Sequence, residues 1–128
     1  MPEQDRPPDE WLAIAEDDLG QALHARIAPE PYVRGMCYHS QQAAEKFLKG
    51  FLVARGIGFR KSHDLDYLIE QCCKADGDFA GMLGVALDLE HYSTLIRYPG
   101  PDGPPTLDEA DAAIACARQI RDFVLSRL

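Results

Sequence analysis

Apolar residues recur at three- and four-residue steps through most of the chain, which is the spacing of amphipathic α-helices. A shorter apolar pattern begins at Ser62 and ends at Asp76 and Gly77. No segment shows the alternation of a β-strand, and short connections between amphipathic helices favour antiparallel neighbours. The sequence therefore predicts an all-α, up-and-down antiparallel bundle of one short helix and four long helices, three over about residues 9–26, 31–55 and 78–97 and the last beginning at Thr106.

Polar residues at the predicted helix ends are typical capping groups. Asp9 and Ser62 are expected to cap the first and third helices, and Thr106 with Glu109 forms a capping-box pattern. Asp18 interrupts the apolar stripe of the first helix, so it is predicted to be buried with a partner or to lie at a seam. Arg97 and Arg121 are its hypothesised partners inside the bundle.

A chain of 128 residues is predicted to form a single domain, residues 1–128, whose first eight residues are expected to be flexible. The start of the chain lacks the features of a signal peptide, and no stretch approaches a membrane span, so the protein is expected to be cytoplasmic, with no membrane partner. Its four cysteines contain no CxxC pair, so we predict reduced thiols and no metal site.

Charge is distributed unevenly, which narrows where an anionic ligand is expected to bind. Residues 31–61 hold six bases and one acid in a chain of net charge −8. Within this segment the predicted second helix carries polar residues at three- and four-residue steps on the face opposite its apolar stripe: His39, Gln42, Lys46 and Lys49. Such a ridge is a candidate site for a nucleotide or RNA. A solvated helix face and a subunit contact are the alternative interpretations.

Three further residues are candidates for the same site. His63 follows the basic segment, while Arg97 and Tyr98 open a loop, residues 98–106, that holds four prolines and two glycines. An arginine beside an aromatic ring is able to hold a phosphate or stack on a base. The alternatives are a structural hydrogen bond for His63, packing of Tyr98 over the end of the bundle and capping of helix carbonyls by Arg97. We predict no catalytic residue and no cofactor, because the other catalytic signatures are absent.

Three segments of the chain, with a shorter fourth, resemble the HEPN family of small helical domains. They are Trp11-Leu-Ala-Ile-Ala-Glu-Asp-Asp-Leu19, Cys37-Tyr-His-Ser-Gln-Gln-Ala-Ala-Glu-Lys-Phe-Leu-Lys49, Lys61-Ser-His-Asp-Leu65 and Arg97-Tyr98-Pro99. The resemblance implies a helical bundle that is commonly a homodimer. It also implies a minimal nucleotidyltransferase as a frequent partner, often in a toxin–antitoxin pair.

Some HEPN proteins are metal-independent ribonucleases with an Arg-x(4–6)-His motif. Arg97 corresponds to the arginine of that motif, but the positions reached after four to six intervening residues hold no histidine: Asp102, Gly103 and Pro104. Arg34 and His39 also match the spacing, but they lie at the wrong place for the motif and about 140° apart on a helix. We therefore expect a nucleotide- or RNA-associated binding module that is not an enzyme. A ribonuclease and a plain dimeric scaffold are the alternatives.

Overall fold

The structure is a computed structural model that describes residues 3–97 and 103–128, apart from the side chain of Arg97. Within these residues the chain forms five α-helices: α1 Pro8–Ile27, α2 Val33–Ala54, α3 Leu65–Cys73, α4 Leu83–Arg97 and α5 Leu107–Ser126. Two short 3-10 helices, Glu3–Asp5 and Gly77–Met82, precede α1 and α4. The predicted all-α bundle of four long helices and one short helix is confirmed.

The helix ends follow the sequence signals in part. The capping box at the start of α5 is confirmed, because Thr106 Oγ1 accepts from Glu109 N at 3.1 Å and Glu109 Oε1 accepts from Thr106 N at 2.9 Å. The prediction that Asp9 and Ser62 are N-caps is wrong. Pro7 precedes α1 without a side-chain cap, and Asp64 precedes α3, where the Ser62 hydroxyl instead accepts from Asp64 N.

Helix α2 lies at the centre of the bundle and contacts α1, α3, α4 and α5. From Ala43 to Leu52 every residue of α2 except Lys46 is buried. A helix that is covered on all sides cannot keep a solvated polar face, so any polar residue in this stretch must find its partner inside the protein. This position of α2 determines the structure of the candidate site.

The contact between α1 and α2 is close enough to require a glycine. A Cβ added at Gly50 would lie 3.2 Å from Trp11 Cβ and 3.1 Å from Leu12 Cδ2. Gly50 therefore allows the first turn of α1 to pack directly on the backbone of α2. Gly56, with φ of 68°, then ends α2 in the left-handed conformation that favours glycine.

Three phenylalanine rings connect the 3-10 helix before α4 with α2 and α5. The Phe79 ring centroid lies 4.5 Å from that of Phe51 on α2 and 4.8 Å from that of Phe123 on α5. Phe51 and Phe79 are fully buried. These contacts show how a short, irregular segment is held firmly against two long helices.

The cysteines act as packing groups in this fold. All four are free thiols, and Cys37 and Cys72 are buried. Burial raises the pKa of the Cys37 thiol to about 11, and it also raises the pKa of Cys72. A thiol with so high a pKa holds little thiolate near neutral pH, so neither residue is a reactive nucleophile.

Within the described residues no helix has both the length and the apolar character needed to cross a membrane.

Candidate functional site

The predicted ridge on α2 is not an exposed cationic surface. The side chain of Lys49 is fully buried, and that of Lys46 is 20% exposed. The ridge is largely covered because α1 and the N-terminal 3-10 helix pack on the face of α2 that lies opposite the apolar stripe. Gln42 and His39 are half-buried on the same helix.

Asp18 joins α1 to α2 through two hydrogen bonds. Its Oδ2 accepts from Lys46 Nζ at 2.5 Å, and its Oδ1 lies 3.1 Å from His39 Nδ1. Asp18 was predicted to be buried with a partner or to lie at a seam, and the structure confirms burial with partners. The hypothesis that Asp18 pairs with Arg121 is wrong, because Arg121 Nε instead donates to Glu16 Oε1 at 2.6 Å. The side chain of Arg97 and the whole of Tyr98 lie outside the described residues.

A second buried carboxylate, that of Glu45, holds the other two candidates. Glu45 Oε2 accepts from Lys49 Nζ at 3.2 Å, and Glu45 Oε1 lies 2.9 Å from His63 Nδ1. The Glu45 side chain is 4% exposed, whereas that of His63 is 62% exposed. The four charged or ionisable candidates whose side chains the structure describes therefore pair with two buried acids, His39 and Lys46 with Asp18, and Lys49 and His63 with Glu45.

The network around Glu45 extends to α3 and α4. Gln41 Nε2 donates to the His63 carbonyl at 3.2 Å and to Glu90 Oε1 at 3.3 Å. Glu90 Oε1 also accepts from Leu65 N at 2.7 Å, so a carboxylate from α4 satisfies the free amide at the start of α3. Sequence reasoning missed Gln41 and Glu45. The sequence signal that could have identified them is their four-residue spacing beside the apolar stripe, together with the fact that Glu45 is the one acid of the basic segment.

Of the candidates on α2, His39 lines an open groove between α1 and α2. The groove has a volume of about 520 Å³. Besides His39 it is lined by two acids, two glycines and four other residues: Glu16, Asp17, Gly20, Gly35, Gln21, His24, Ala25 and Tyr32. A Cβ at Gly20 would meet nothing within 4 Å, and one at Gly35 would meet nothing closer than 3.7 Å, which leaves the groove floor open. A second groove of about 550 Å³ adjoins it across Tyr32 and includes Arg34 and Pro104.

The sequence matches the HEPN domain family model over residues 8–128. The chain belongs to the HEPN family. Its structure is similar to the crystal structure of ST0689, an archaeal HEPN homologue, with a TM-score of 0.75 and 31% sequence identity. The alignment covers 95% of this chain and 98% of the archaeal chain. A search among curated proteins gives no match.

In this HEPN domain, Asp18 orients the ring of the groove histidine, His39. An ionised carboxylate only accepts hydrogen bonds, so His39 must donate to it from Nδ1. The second ring nitrogen, Nε2, has no partner among the described side chains and is left to accept from, or when protonated donate to, a ligand in the groove. Within residues 3–97 and 103–128, no group of three or more His, Cys, Asp or Glu side chains is arranged to hold a metal ion.

Proposed function

We propose that this HEPN domain is a nucleotide- or RNA-binding module whose ligand contacts the α1–α2 groove. The observation that carries the proposal is the concentration of exposed aromatic and basic groups at the start of α2. Tyr32 is 69% exposed and Tyr38 is 50% exposed, and both flank the exposed Arg34. Exposed rings of this kind stack on bases, and an exposed guanidinium pairs with phosphate.

The shape of the surface favours a short single strand of RNA. The two adjoining grooves share Tyr32 and Gly35, so an extended ligand is able to cross Tyr32 and occupy both. The ring of Tyr38 lies edge-on to His39 with centroids 5.1 Å apart, which joins the tyrosine to the groove wall. The net charge of −8 opposes binding of a long nucleic acid, so recognition rests on local contacts.

The proposal includes a homodimer and a minimal nucleotidyltransferase partner in a toxin–antitoxin-like pair. The nucleotidyltransferase and the pairing rest on the HEPN resemblance. One observation supports self-association: Leu83 and Leu87 on α4 are 41% and 50% exposed, and they lie one turn apart on one side of the helix. Sedimentation of the pure chain tests the dimer, and co-purification with a nucleotidyltransferase expressed beside it tests the partner.

The groove site predicts a selective loss of RNA affinity when its exposed groups are removed. We expect the double variant Tyr32→Ala/Arg34→Ala to bind a labelled ten-nucleotide RNA at least ~10-fold more weakly, because stacking contributes ~1–3 kcal/mol per base and each ~1.4 kcal/mol is tenfold in affinity. Fluorescence anisotropy at low salt, with a chelator present, measures the dissociation constants. The chelator inhibits any contaminating nuclease that depends on a metal ion.

Arg60→Ala is the matched control. Arg60 is an exposed arginine in the same basic segment, but its guanidinium lies over the Tyr67 ring, 3.9 Å from the centroid, away from the groove. We expect Arg60→Ala to bind RNA like the wild type. If Arg60→Ala and the groove variant lost RNA affinity equally, the binding would be explained by general electrostatics, and the groove would not be the binding site. Shortening of the RNA that disappears in Arg97→Ala would support the ribonuclease alternative instead.

A further inference from the structure

A buried polar cluster, here called the Lys49 pocket, surrounds the ammonium group of Lys49, far along α1 and α2 from the groove. Lys49 Nζ is 5.6 Å from the ring centroid of Trp11 and 5.8 Å from that of Phe59. All three residues are buried. A buried ammonium is costly unless anionic groups surround it, and here two carboxylates do so.

The two carboxylates that neutralise Lys49 differ in how firmly they are held. Glu45 is part of α2, is 4% exposed and is also hydrogen-bonded to His63. Glu3, whose Oε1 accepts from Lys49 Nζ at 3.0 Å, is 33% exposed and belongs to a three-residue 3-10 helix that contains no buried residue. Glu45 is therefore a fixed partner, and Glu3 is a replaceable one.

Few contacts attach the segment that carries Glu3. Gln4 Nε2 donates to the Phe59 carbonyl at 2.7 Å, and Gln4 Oε1 accepts from Phe59 N at 3.4 Å. The Arg6 guanidinium lies over the Trp11 ring, 4.9 Å from its centroid. Partly exposed contacts of this kind contribute little individually, so a competing anion needs to overcome only a modest cost to displace the segment.

The Trp11 ring, which lies near Lys49, carries a hydrogen-bond donor that is not used. Trp11 is 3% exposed, and its buried indole Nε1 has no hydrogen-bond partner among the described residues. A buried donor without a partner is unfavourable because it has lost its hydrogen bond to water. An anion with several oxygen atoms is able to satisfy an ammonium and an indole N–H together, which a single carboxylate oxygen from Glu3 does not.

We propose that the Lys49 pocket is a binding site for a small oxyanion, a phosphate or carboxylate group, and that Glu3 occupies it in cis as a plug. Displacing Glu3 opens the wall formed by the 3-10 helix Glu3–Asp5 and leaves Lys49, Trp11 and Phe59 facing the ligand. His63 offsets the negative charge of Glu45 when it is protonated. This site is separate from the groove and does not depend on RNA binding there.

The chain's one tryptophan gives a specific readout, because the indole N–H resonance of Trp11 is the only one in the ¹H–¹⁵N spectrum. Inorganic phosphate and acetate are titrated separately into the full chain, with sodium chloride added to keep ionic strength constant. Wild type is compared with Glu3→Gln and with Asp5→Asn. Asp5 is the matched control, since it is an exposed acid in the same 3-10 helix with no ion pair to a described residue.

We expect a saturable shift of the indole resonance in Glu3→Gln at a phosphate or acetate concentration at least tenfold lower than in wild type, with Asp5→Asn behaving like wild type. Saturation by phosphate alone identifies a phosphate-type ligand, and saturation by acetate alone a carboxylate. The proposal is overturned if neither anion gives a saturable shift in Glu3→Gln, or if Asp5→Asn is enhanced equally, which would mean that only net charge matters.

Discussion

Replacing Glu45 with leucine is expected to lower the free energy of unfolding by about 3–5 kcal/mol, which is the usual cost of removing one partner from a buried ion pair. Glu45 is the fixed carboxylate beside the fully buried ammonium of Lys49. Without it, Lys49 keeps only the partly exposed Glu3, and the exposed His63 ring loses its partner. Urea denaturation followed by circular dichroism measures the change.

The double variant Glu45→Leu/Lys49→Met is the matched control for this prediction. Replacing both charges with apolar groups of similar size removes the cost of the unpaired ammonium, so most of the lost stability is expected to return. Such a recovery would show that the charge left behind, and not the volume change at position 45, destabilises the single variant. A Glu45→Leu protein within about 1 kcal/mol of the wild type would contradict the buried pair.

Removing the ring of Phe79 is expected to have an effect of similar size, about 3–5 kcal/mol for Phe79→Ala. Phe79 is fully buried and contacts the rings of Phe51 and Phe123, which are carried by two different helices. Its loss leaves a cavity where the 3-10 helix Gly77–Met82 meets α2 and α5. The same urea experiment gives the value.

Ile27→Ala is the comparison for Phe79→Ala. Ile27 is an apolar residue at the end of α1, but it is 77% exposed, so its truncation is expected to change the free energy of unfolding by no more than about 0.5 kcal/mol. If the two variants were destabilised equally, Phe79 would not hold the position that the ring contacts describe.

The helices were predictable because their signals are local. Apolar residues at three- and four-residue steps define α1, α2 and α5 whatever surrounds them, and the Thr106–Glu109 capping box forms within one turn. Asp18 was also predictable, since an acid inside an apolar stripe must find a partner. The identity of that partner was not, because Lys46 lies on another helix and the sequence does not give the rotation of α1 about α2.

The candidate site was predicted less well, for a related reason. Periodicity identifies the polar face of α2 but does not reveal that α1 and the chain's N-terminus cover it. The first eight residues were expected to be flexible, whereas Glu3 and Gln4 contact Lys49 and Phe59. These contacts span 46 and 55 residues, so no local signal reports them. Of the predicted set on α2, His39 lines an open groove.

A ¹H–¹⁵N spectrum recorded while a short RNA with hydroxyl ends is added shows whether the RNA binds the groove or the region around Lys49 and His63. We predict that the largest shifts occur at Tyr32, Arg34 and His39, while Lys49 and His63 stay unchanged. Shifts centred on Lys49 and His63, with none around Tyr32, would contradict the assignment of the groove as the ligand surface of this HEPN domain.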